Sequence, residues 1–253
     1  MTERKGSSRT AIVTGAAKRI GAEIACALAA DGWDVLIHYR HSAREAEALA
    51  ARLPRAATVA ADLATEEGVA RVIAALDGRP PPGLLVNSAS TFRYDALDDF
   101  SVEGWDRHMA ANVRGPALLS RAFAARVPQG AGGLIVNMLD AKLSQPNPDF
   151  FSYTISKMAF AGLGELLARS LAGRGIRVNA IAPSVTLVSG PQSRENFERV
   201  HAMNALRRGI DVAEIVAALR FIIAVPTLTG QTITLDGGQR FLGLPRDVQF
   251  MEP

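Results

Sequence analysis

Asp140 and the stretch Tyr153-Thr154-Ile155-Ser156-Lys157 bring an acid, a phenol and an ammonium close together in the chain, a set that can move protons. Phe160, Leu163, Leu166, Leu167 and Leu171 recur at helical spacing, which predicts a helix here and places Tyr153 and Lys157, as i and i+4, on one face. A free phenol has a pKa of about 10 and is a poor acid at neutral pH, but a neighbouring ammonium favours the phenolate. Lys157 is therefore expected to lower the Tyr153 pKa and fit it for general acid catalysis. The same spacing also arises on an amphipathic edge whose lysine is simply solvated, so the pair needs a setting.

That setting is an alternation of short apolar runs with longer amphipathic ones, the pattern of βαβ units and a parallel sheet covered on both faces. Strands are expected near 10–14, 34–39, 56–61, 83–88, 133–138, 176–181 and 231–235. Helices are expected over 19–31, 42–52, 65–77, 103–127, 151–172 and 211–224. The Gly/Pro clusters Arg79–Gly83 and Gly130–Gly133 read as turns within one α/β domain spanning 10–253. Residues 184–210 are polar, contain Ser189-Gly190-Pro191 and break the alternation, which marks a lid or binding loop, taken as the substrate loop. Residues 1–9 are polar, read as a mobile tail and do not form a secretory signal.

The first strand runs into Thr14-Gly15-Ala16-Ala17-Lys18-Arg19-Ile20-Gly21 and then a helix, a context in which backbone N–H groups and a helix N-terminus can hold a pyrophosphate. Gly15 allows the tight turn and Gly21 close packing, but Arg19 stands where a glycine would complete the expected triplet. The second strand ends His38-Tyr39-Arg40-His41-Ser42 and lacks the carboxylate that would bond a free ribose 2′-hydroxyl. Arg40, His41 and Ser42 supply cations and a hydroxyl for a 2′-phosphate, so NADP(H) is expected over NAD(H). The plainer alternative is that Arg40 and His41 decorate an exposed loop.

Composition narrows the remaining classes. The 253 residues are 48% hydrophobic, enough for one large core. The 28 basic and 25 acidic side chains leave a net charge of +3 without a polybasic block, so no nucleic-acid partner is expected. No apolar stretch approaches the roughly 20 residues that span a bilayer, and Ile215–Val225 is broken by Arg220, so no membrane partner is expected either. The single cysteine, Cys26, lies in an apolar setting and reads as core packing, which points to a cytoplasmic location. No His/Cys/Asp/Glu spacing suggests a metal, and His108 reads as a helix-surface histidine.

Taken in order, Thr14-Gly15-x-x-x-Arg19-x-Gly21, Asn87-Ser88-Ala89-Ser90, Asn112, Tyr153-x-x-x-Lys157, Pro183 and Asp236-Gly237-Gly238 resemble the short-chain dehydrogenase/reductases over nearly the full chain. The resemblance implies a doubly wound Rossmann fold with a seven-stranded parallel sheet and hydride transfer from a nicotinamide. It implies Tyr153 as acid, Lys157 as ribose anchor and pKa modifier, and Asn112 as the support of a proton-relay water. Cofactor contacts are implied for Gly15, Arg19, Ile20, Gly21, Tyr39, Arg40, His41, Ser42, Asp62, Leu63, Asn87, Ala89, Ser90, Lys157, Pro183 and Ser184. Asn87-Ser88 replaces the family's usual asparagine pair, and Ser184 its usual glycine after Pro183. A homotetramer is also implied, with the helices over 103–127 and 151–172 at one interface. The tail from Gln239 onward is long enough to reach a neighbour, though a terminal packing role fits it equally.

Two departures narrow the match. Arg19 in place of glycine and Asp140 in place of the usual serine are similar to pteridine reductases, a subgroup whose pattern bacterial dihydromonapterin and dihydrofolate reductases share. That likeness implies a pterin stacked on Phe92, with Arg19, Ser90, Asp140 and Tyr153 as further substrate contacts. A pterin is flat and π-rich, so an aromatic partner suits it. Reducing its C=N bond needs a hydride at carbon and a proton at nitrogen, and Asp140 offers an acid where serine offers only a hydrogen bond. The proton passes either from Asp140 itself, if burial raises its pKa, or through Tyr153 or water. Phe92 as wall packing, and Asp140 as a mere orienter of Tyr153 or a partner of Lys142, are the plainer readings. A carbonyl reductase, for instance of 3-oxoacyl substrates, and a silent NADPH-binding sensor are the rival functions.

Overall fold

Apolar runs too short for helices become strands, the central β1 and β4 buried on both faces and the edge strands β3 and β7 only partly, and the computed structural model, which describes residues 9–189 and 192–251, arranges seven strands in the order β3-β2-β1-β4-β5-β6-β7. The strands are β1 (Thr10–Val13), β2 (Asp34–Tyr39), β3 (Ala56–Ala60), β4 (Pro82–Asn87), β5 (Gly133–Met138), β6 (Ile176–Pro183) and β7 (Thr232–Leu235). The sheet is parallel and doubly wound, as expected. Within it the chain sorts into two compact units.

One unit gathers the described residues up to Ala89 with Gly115–Ile135 and Leu171–Arg177. Its strands pair in parallel with Thr10 opposite Asp34 and Val35 opposite Ala56, while β1 also pairs with β4. The helices α1 (Arg19–Ala30), α2 (Ala43–Ala50) and α3 (Glu66–Ala74) return the chain to the next strand. Strand order reverses at β1 and β4, and such a reversal leaves a crevice beyond the carboxyl ends of the strands. Arg9 fastens the start of β1 through Nη2 to the carbonyls of Gly132 at 2.6 Å and Pro82 at 3.3 Å. The remainder of the expected tail, residues 1–8, lies outside the described residues.

The other unit holds Ser90–Arg114, Val136–Ser170 and the described residues from Val178 onward. It contains α4 (Val102–Met109), α6 (Phe151–Leu171), α7 (Arg194–His201) and α8 (Val212–Ala224). Leu139, Phe160, Ala180 and Ala182 form a buried cluster, and β6 pairs with β7. Among the described residues no helix is long and apolar enough to cross a membrane.

Two expectations need correction. The single helix over 103–127 is α4, a π-helical turn Ala110–Arg114 and α5 (Gly115–Arg126). Pro116 has no N–H to give to the carbonyl of Asn112, so the regular i→i−4 ladder cannot run through this point. Residues 184–210 are not a bare loop either, since Ser193 caps α7 by accepting from the Asn196 amide at 3.1 Å.

The glycines of the first β–α turn are fixed by space. A Cβ on Gly21 would stand 2.5 Å from Gly15 O, whereas one on Gly162, in α6, meets nothing within 4 Å. Gly21→Ala is expected to lower stability by about 1–3 kcal/mol, because backbone cannot retreat as a side chain can. Gly162→Ala is expected to raise it by about 0.5–1 kcal/mol through helix propensity. Urea unfolding of both variants checks the pair, and equal shifts would contradict this reading of the turn.

Candidate active site

In the first unit, β1 is followed directly by Thr14, whose Oγ1 accepts from the amides of Ser88 and Ala89, each at 2.9 Å. This pins the exit of β4 beside the turn. Gly15 has φ 63, and a Cβ there would lie 2.9 Å from Ala89 Cα. His38, buried at the end of β2, accepts from the Gly15 amide at Nδ1 (3.1 Å) and donates from Nε2 to Ala61 O (3.0 Å). Burial lowers its pKa, which keeps the imidazole neutral as that pattern of one donor and one acceptor requires. Sequence reasoning quoted Thr14 only as the start of the turn motif and gave His38 no role, although both sit at or just beyond strand ends where such polar groups need partners.

Arg19 takes φ 58, the left-handed backbone that the missing glycine would have adopted freely. Holding a non-glycine residue there costs about 1–3 kcal/mol, the kind of strain that gathers at functional sites. Ile20 and Gly21 follow at the start of α1. Beyond β2, Arg40 and His41 are exposed and Arg40 Nε donates to His41 Nε2 at 2.7 Å. Ser42 is the N-cap of α2, yet its hydroxyl makes no capping bond, so it remains a donor beside the two basic side chains. Tyr39 is partly buried at the strand end. Asp62 lies 3.8 Å from Arg40 and accepts from the Ala64 amide, while Leu63 is buried. Asn87 turns inward, its Nδ2 donating to Ser120 Oγ at 3.3 Å, so its side chain serves the core. The glycine-lined turn and the Arg40, His41 and Ser42 donors are a donor set that suits a dinucleotide carrying a 2′-phosphate.

In the second unit, α6 starts where Asp95 receives the amides of Phe151 (at O, 3.0 Å) and Ser152 (at Oδ1, 2.9 Å). Tyr153 and Lys157 share its buried face, with Nζ 5.7 Å from the phenol ring centroid. The Tyr153 hydroxyl donates to Asp140 Oδ2 at 2.8 Å, and Asp140 Oδ1 accepts from the Lys142 amide at 2.8 Å. Lys157 Nζ donates to Met138 O at 2.8 Å. Asp140 is therefore held by its own turn, not by the Lys142 ammonium, which goes to Asp149 O and Asp247.

The electrostatics differ from expectation. Burial and then the Asp140 carboxylate push the Tyr153 pKa well above its usual value, so the expected lowering by Lys157 does not govern this structure. Burial brings the Lys157 ammonium down to about 8. The phenol is thus a protonated donor at neutral pH, aimed at a carboxylate.

Asn112, in the π-helical turn, donates from Nδ2 to Thr91 O and Ser156 Oγ, both at 2.9 Å, and its Oδ1 accepts from the Thr91 amide (2.7 Å) and Ser90 Oγ (3.2 Å). Its side chain staples the Ser90–Thr91 turn to α6. Phe92 remains 39% exposed, stacks on Phe150 with centroids 4.3 Å apart and meets Tyr153 edge-on at 4.7 Å. Phe150 is buried with φ 55, a conformation foreign to a bulky side chain, and was not flagged by any sequence pattern. His108 is buried as well, which corrects its surface reading. Its Nδ1 lies 2.9 Å from Gly104 O and its Nε2 accepts from the Arg93 amide, so both nitrogens are occupied. Pro183 ends β6, and the Ser184 amide donates to Leu235 O at 2.9 Å. Among the described residues no group of three or more His, Cys, Asp or Glu is disposed to hold a metal.

Comparison with known proteins agrees with this architecture. A family model described as Enoyl-(Acyl carrier protein) reductase matches residues 15–240. The 3-oxoacyl-(acyl-carrier-protein) reductase of Synechocystis sp. is 30% identical over 240 residues, covering 92% of this chain and 97% of that protein. Pteridine reductase 1 of Leishmania tarentolae is 33% identical over 276 residues, covering 90% and 95%. The crystal structure of FolM alternative dihydrofolate reductase 1 from Brucella canis, complexed with NADP, superposes with a TM-score of 0.84 at 38% identity, covering 92% and 94%. With the glycine-lined turn, the doubly wound sheet and the Tyr153–Lys157 pair in place, the chain belongs to the short-chain dehydrogenase/reductase family.

Proposed function

We propose that this oxidoreductase uses NADPH to reduce a dihydropterin or a related pterin. The observation that carries the reading is the 2.8 Å hydrogen bond from the Tyr153 hydroxyl to Asp140, with the partly exposed Phe92 ring against the same phenol. NADP(H) is the cofactor, and when bound it supplies the hydride. Gly15, Arg19, Ile20 and Gly21 form its phosphate-binding turn, and Arg40, His41 and Ser42 receive the 2′-phosphate. Tyr39, Asp62, Leu63, Asn87, Ala89, Ser90, Pro183 and Ser184 complete its contacts, Asn87 through backbone. Lys157 anchors the ribose by family likeness. The likeness to pteridine reductase 1 and to the dihydrofolate reductase from Brucella supports the substrate class.

In this reading Phe92 presents an aromatic face to the flat ring, and Arg19 and Ser90 hold its edges. Tyr153 gives its proton to the ring nitrogen as negative charge develops there; Asp140, bonded to the same hydroxyl, orients it for that transfer and, once it has taken a proton from solvent, returns one to the phenolate. Asn112 keeps the Ser90–Thr91 turn and α6 in register around them. A homotetramer and a cytoplasmic setting complete the proposal on family likeness. The second reading, a carbonyl reductase of 3-oxoacyl type, draws on the Synechocystis relative and would need Tyr153 alone. A silent NADPH sensor would bind cofactor tightly yet oxidise none of it with any pterin, folate or carbonyl compound.

Asp140→Ser separates the two enzymes. It is expected to lower kcat on dihydropterins by roughly 10²–10⁴-fold, the usual worth of a placed acid. A carbonyl reductase would tolerate it, so undiminished pterin turnover refutes the role of Asp140. In cofactor titrations, Arg40→Ala should weaken NADPH by roughly tenfold to a hundredfold, the worth of a lost charge-assisted contact, and leave NADH nearly unchanged. Tighter binding of NADH than of NADPH by the unaltered protein would overturn the cofactor preference.

Lys157 links function to stability. Its folded pKa of about 8 lies below the 10.5 of the unfolded chain, so the unfolded state binds more protons between those values. Its penalty is therefore full below about pH 8 and fades as pH rises toward 10.5. Lys157→Met should abolish turnover yet stabilise the fold at pH 7 by about 1–2 kcal/mol once the stranded Met138 carbonyl is counted, with the gain shrinking by pH 10. Thermal unfolding at both pH values checks this, and a variant less stable at pH 7 than at pH 10, each relative to the parent, contradicts it.

A further inference from the structure

Beyond β7 the chain has little regular structure, yet its end carries a dense charged network. Arg246 grips Asp149 from Nε, at 3.0 and 2.8 Å from the two carboxylate oxygens, and from Nη2 at 2.8 Å. The Asp247 amide donates to the same carboxylate at 2.7 Å. Lys142 Nζ then joins both ends, donating to Asp247 Oδ2 at 3.2 Å and to Asp149 O at 2.6 Å. Asp149 is only 4% exposed, so its charge depends on these partners. Farther on, Phe250 lies 5.9 Å from the Phe150 ring and 5.2 Å from Tyr94, while Asn196 and Arg199 of α7 donate to the carbonyls of Gln249 and Met251.

Both arms of this network end beside Tyr153. Through Lys142, whose amide binds Asp140 Oδ1, it reaches the carboxylate that accepts the hydrogen bond of the phenol. Through Asp149 it reaches Phe150, whose left-handed backbone is followed by α6 and whose ring backs Phe92. A bulky residue stays at positive φ only where its surroundings over-determine it. The clamp on its preceding residue, together with Phe250 on its ring, does so here.

We propose that Arg246 and Asp247 are positioning residues, and that the C-terminal segment is an internal latch which sets the Asp140 turn and the Phe150–Phe92 wall against the substrate. This rests on the reading in which Phe92 and Asp140 face that substrate. Without the guanidinium, Asp149 is left buried and under-partnered, the 149–150 backbone loses the restraint that keeps Phe150 left-handed, and the aromatic wall shifts. The latch also holds α7, whose Asn196 and Arg199 are fastened to the carbonyls of Gln249 and Met251.

The test compares the full-length protein with Arg246→Ala, Arg246→Lys and Asp247→Asn, using dihydrobiopterin and NADPH, with hydrogen exchange of the Lys142 amide as a readout free of turnover. Arg246→Ala is expected to raise KM for the pterin on the order of tenfold to a hundredfold, as a small misplacement does, to lower kcat less, and to leave NADPH affinity within about twofold. The Lys142 amide should exchange faster, and Arg246→Lys should recover only part of both effects, since lysine cannot fork onto a carboxylate. Unchanged KM and unchanged exchange would overturn the latch, as would a loss of NADPH affinity and thermal stability in step with activity. If the unaltered protein reduces a carbonyl compound and no pterin, the proposed substrate fails. The latch is then judged by the same variants through the Lys142 exchange and the KM of that compound.

Discussion

A buried phenol and a buried ammonium beside a partly buried carboxylate are the constraint around which this unit is built. None of the three tolerates an apolar setting alone, so each must be given partners. Tyr153 finds Asp140, Lys157 finds the Met138 carbonyl, and Asp140 finds the Lys142 amide as well. These bonds fix where β5 must end, where α6 must begin and how the short turn after Met138 must fold. Helix α6 then follows its chemistry, placing serines, the tyrosine and the lysine on the buried face where a structural helix would carry leucines.

The same constraint accounts for the direction of the pKa shifts. Removing water raises the phenol and lowers the ammonium, and a carboxylate in contact raises the phenol further. A reductase that must protonate a nitrogen anion, as proposed here, is served by a phenol that keeps its proton until charge appears nearby. Proximity of Lys157 in sequence pointed the other way because spacing conveys a neighbour's charge but not the depth at which both groups lie.

Most of the fold was legible because alternating apolar runs and strand-to-helix turns are local signals, and every expected strand is found within a residue or two. The gaps are non-local. The π-helical turn at Asn112 answers to Pro116, but also to bonds with Thr91 and Ser156 that no periodicity encodes. Helix α7 is polar, and Phe197 and Val200 gave too little apolar pattern for it to stand out. His108 has a polar setting in sequence, yet α4 turns it onto the Arg93 amide. Among the site residues, those legible were the ones with unusual chemistry at a motif position. The residues behind the candidate groups, His38 in the first unit and Lys142 and Phe150 in the second, are ordinary ones made important by what they touch.

Arg19 and Phe150 extend that lesson to the backbone. Each holds a left-handed conformation that glycine would adopt at no steric cost. Glycine at either place would relieve strain, so each side chain must offset that cost, Phe150 in part by burying its ring. At Arg19 the residue stands in the turn between β1 and α1, which in the function proposed here holds the cofactor phosphates, and there a cation adds what glycine cannot. At Phe150 the ring backs Phe92 and is in turn covered by Phe250. Strain at the two positions is therefore best understood as the consequence of needing a particular side chain at a point where the chain must also turn sharply, with the surrounding bonds supplying the restraint that local preference does not.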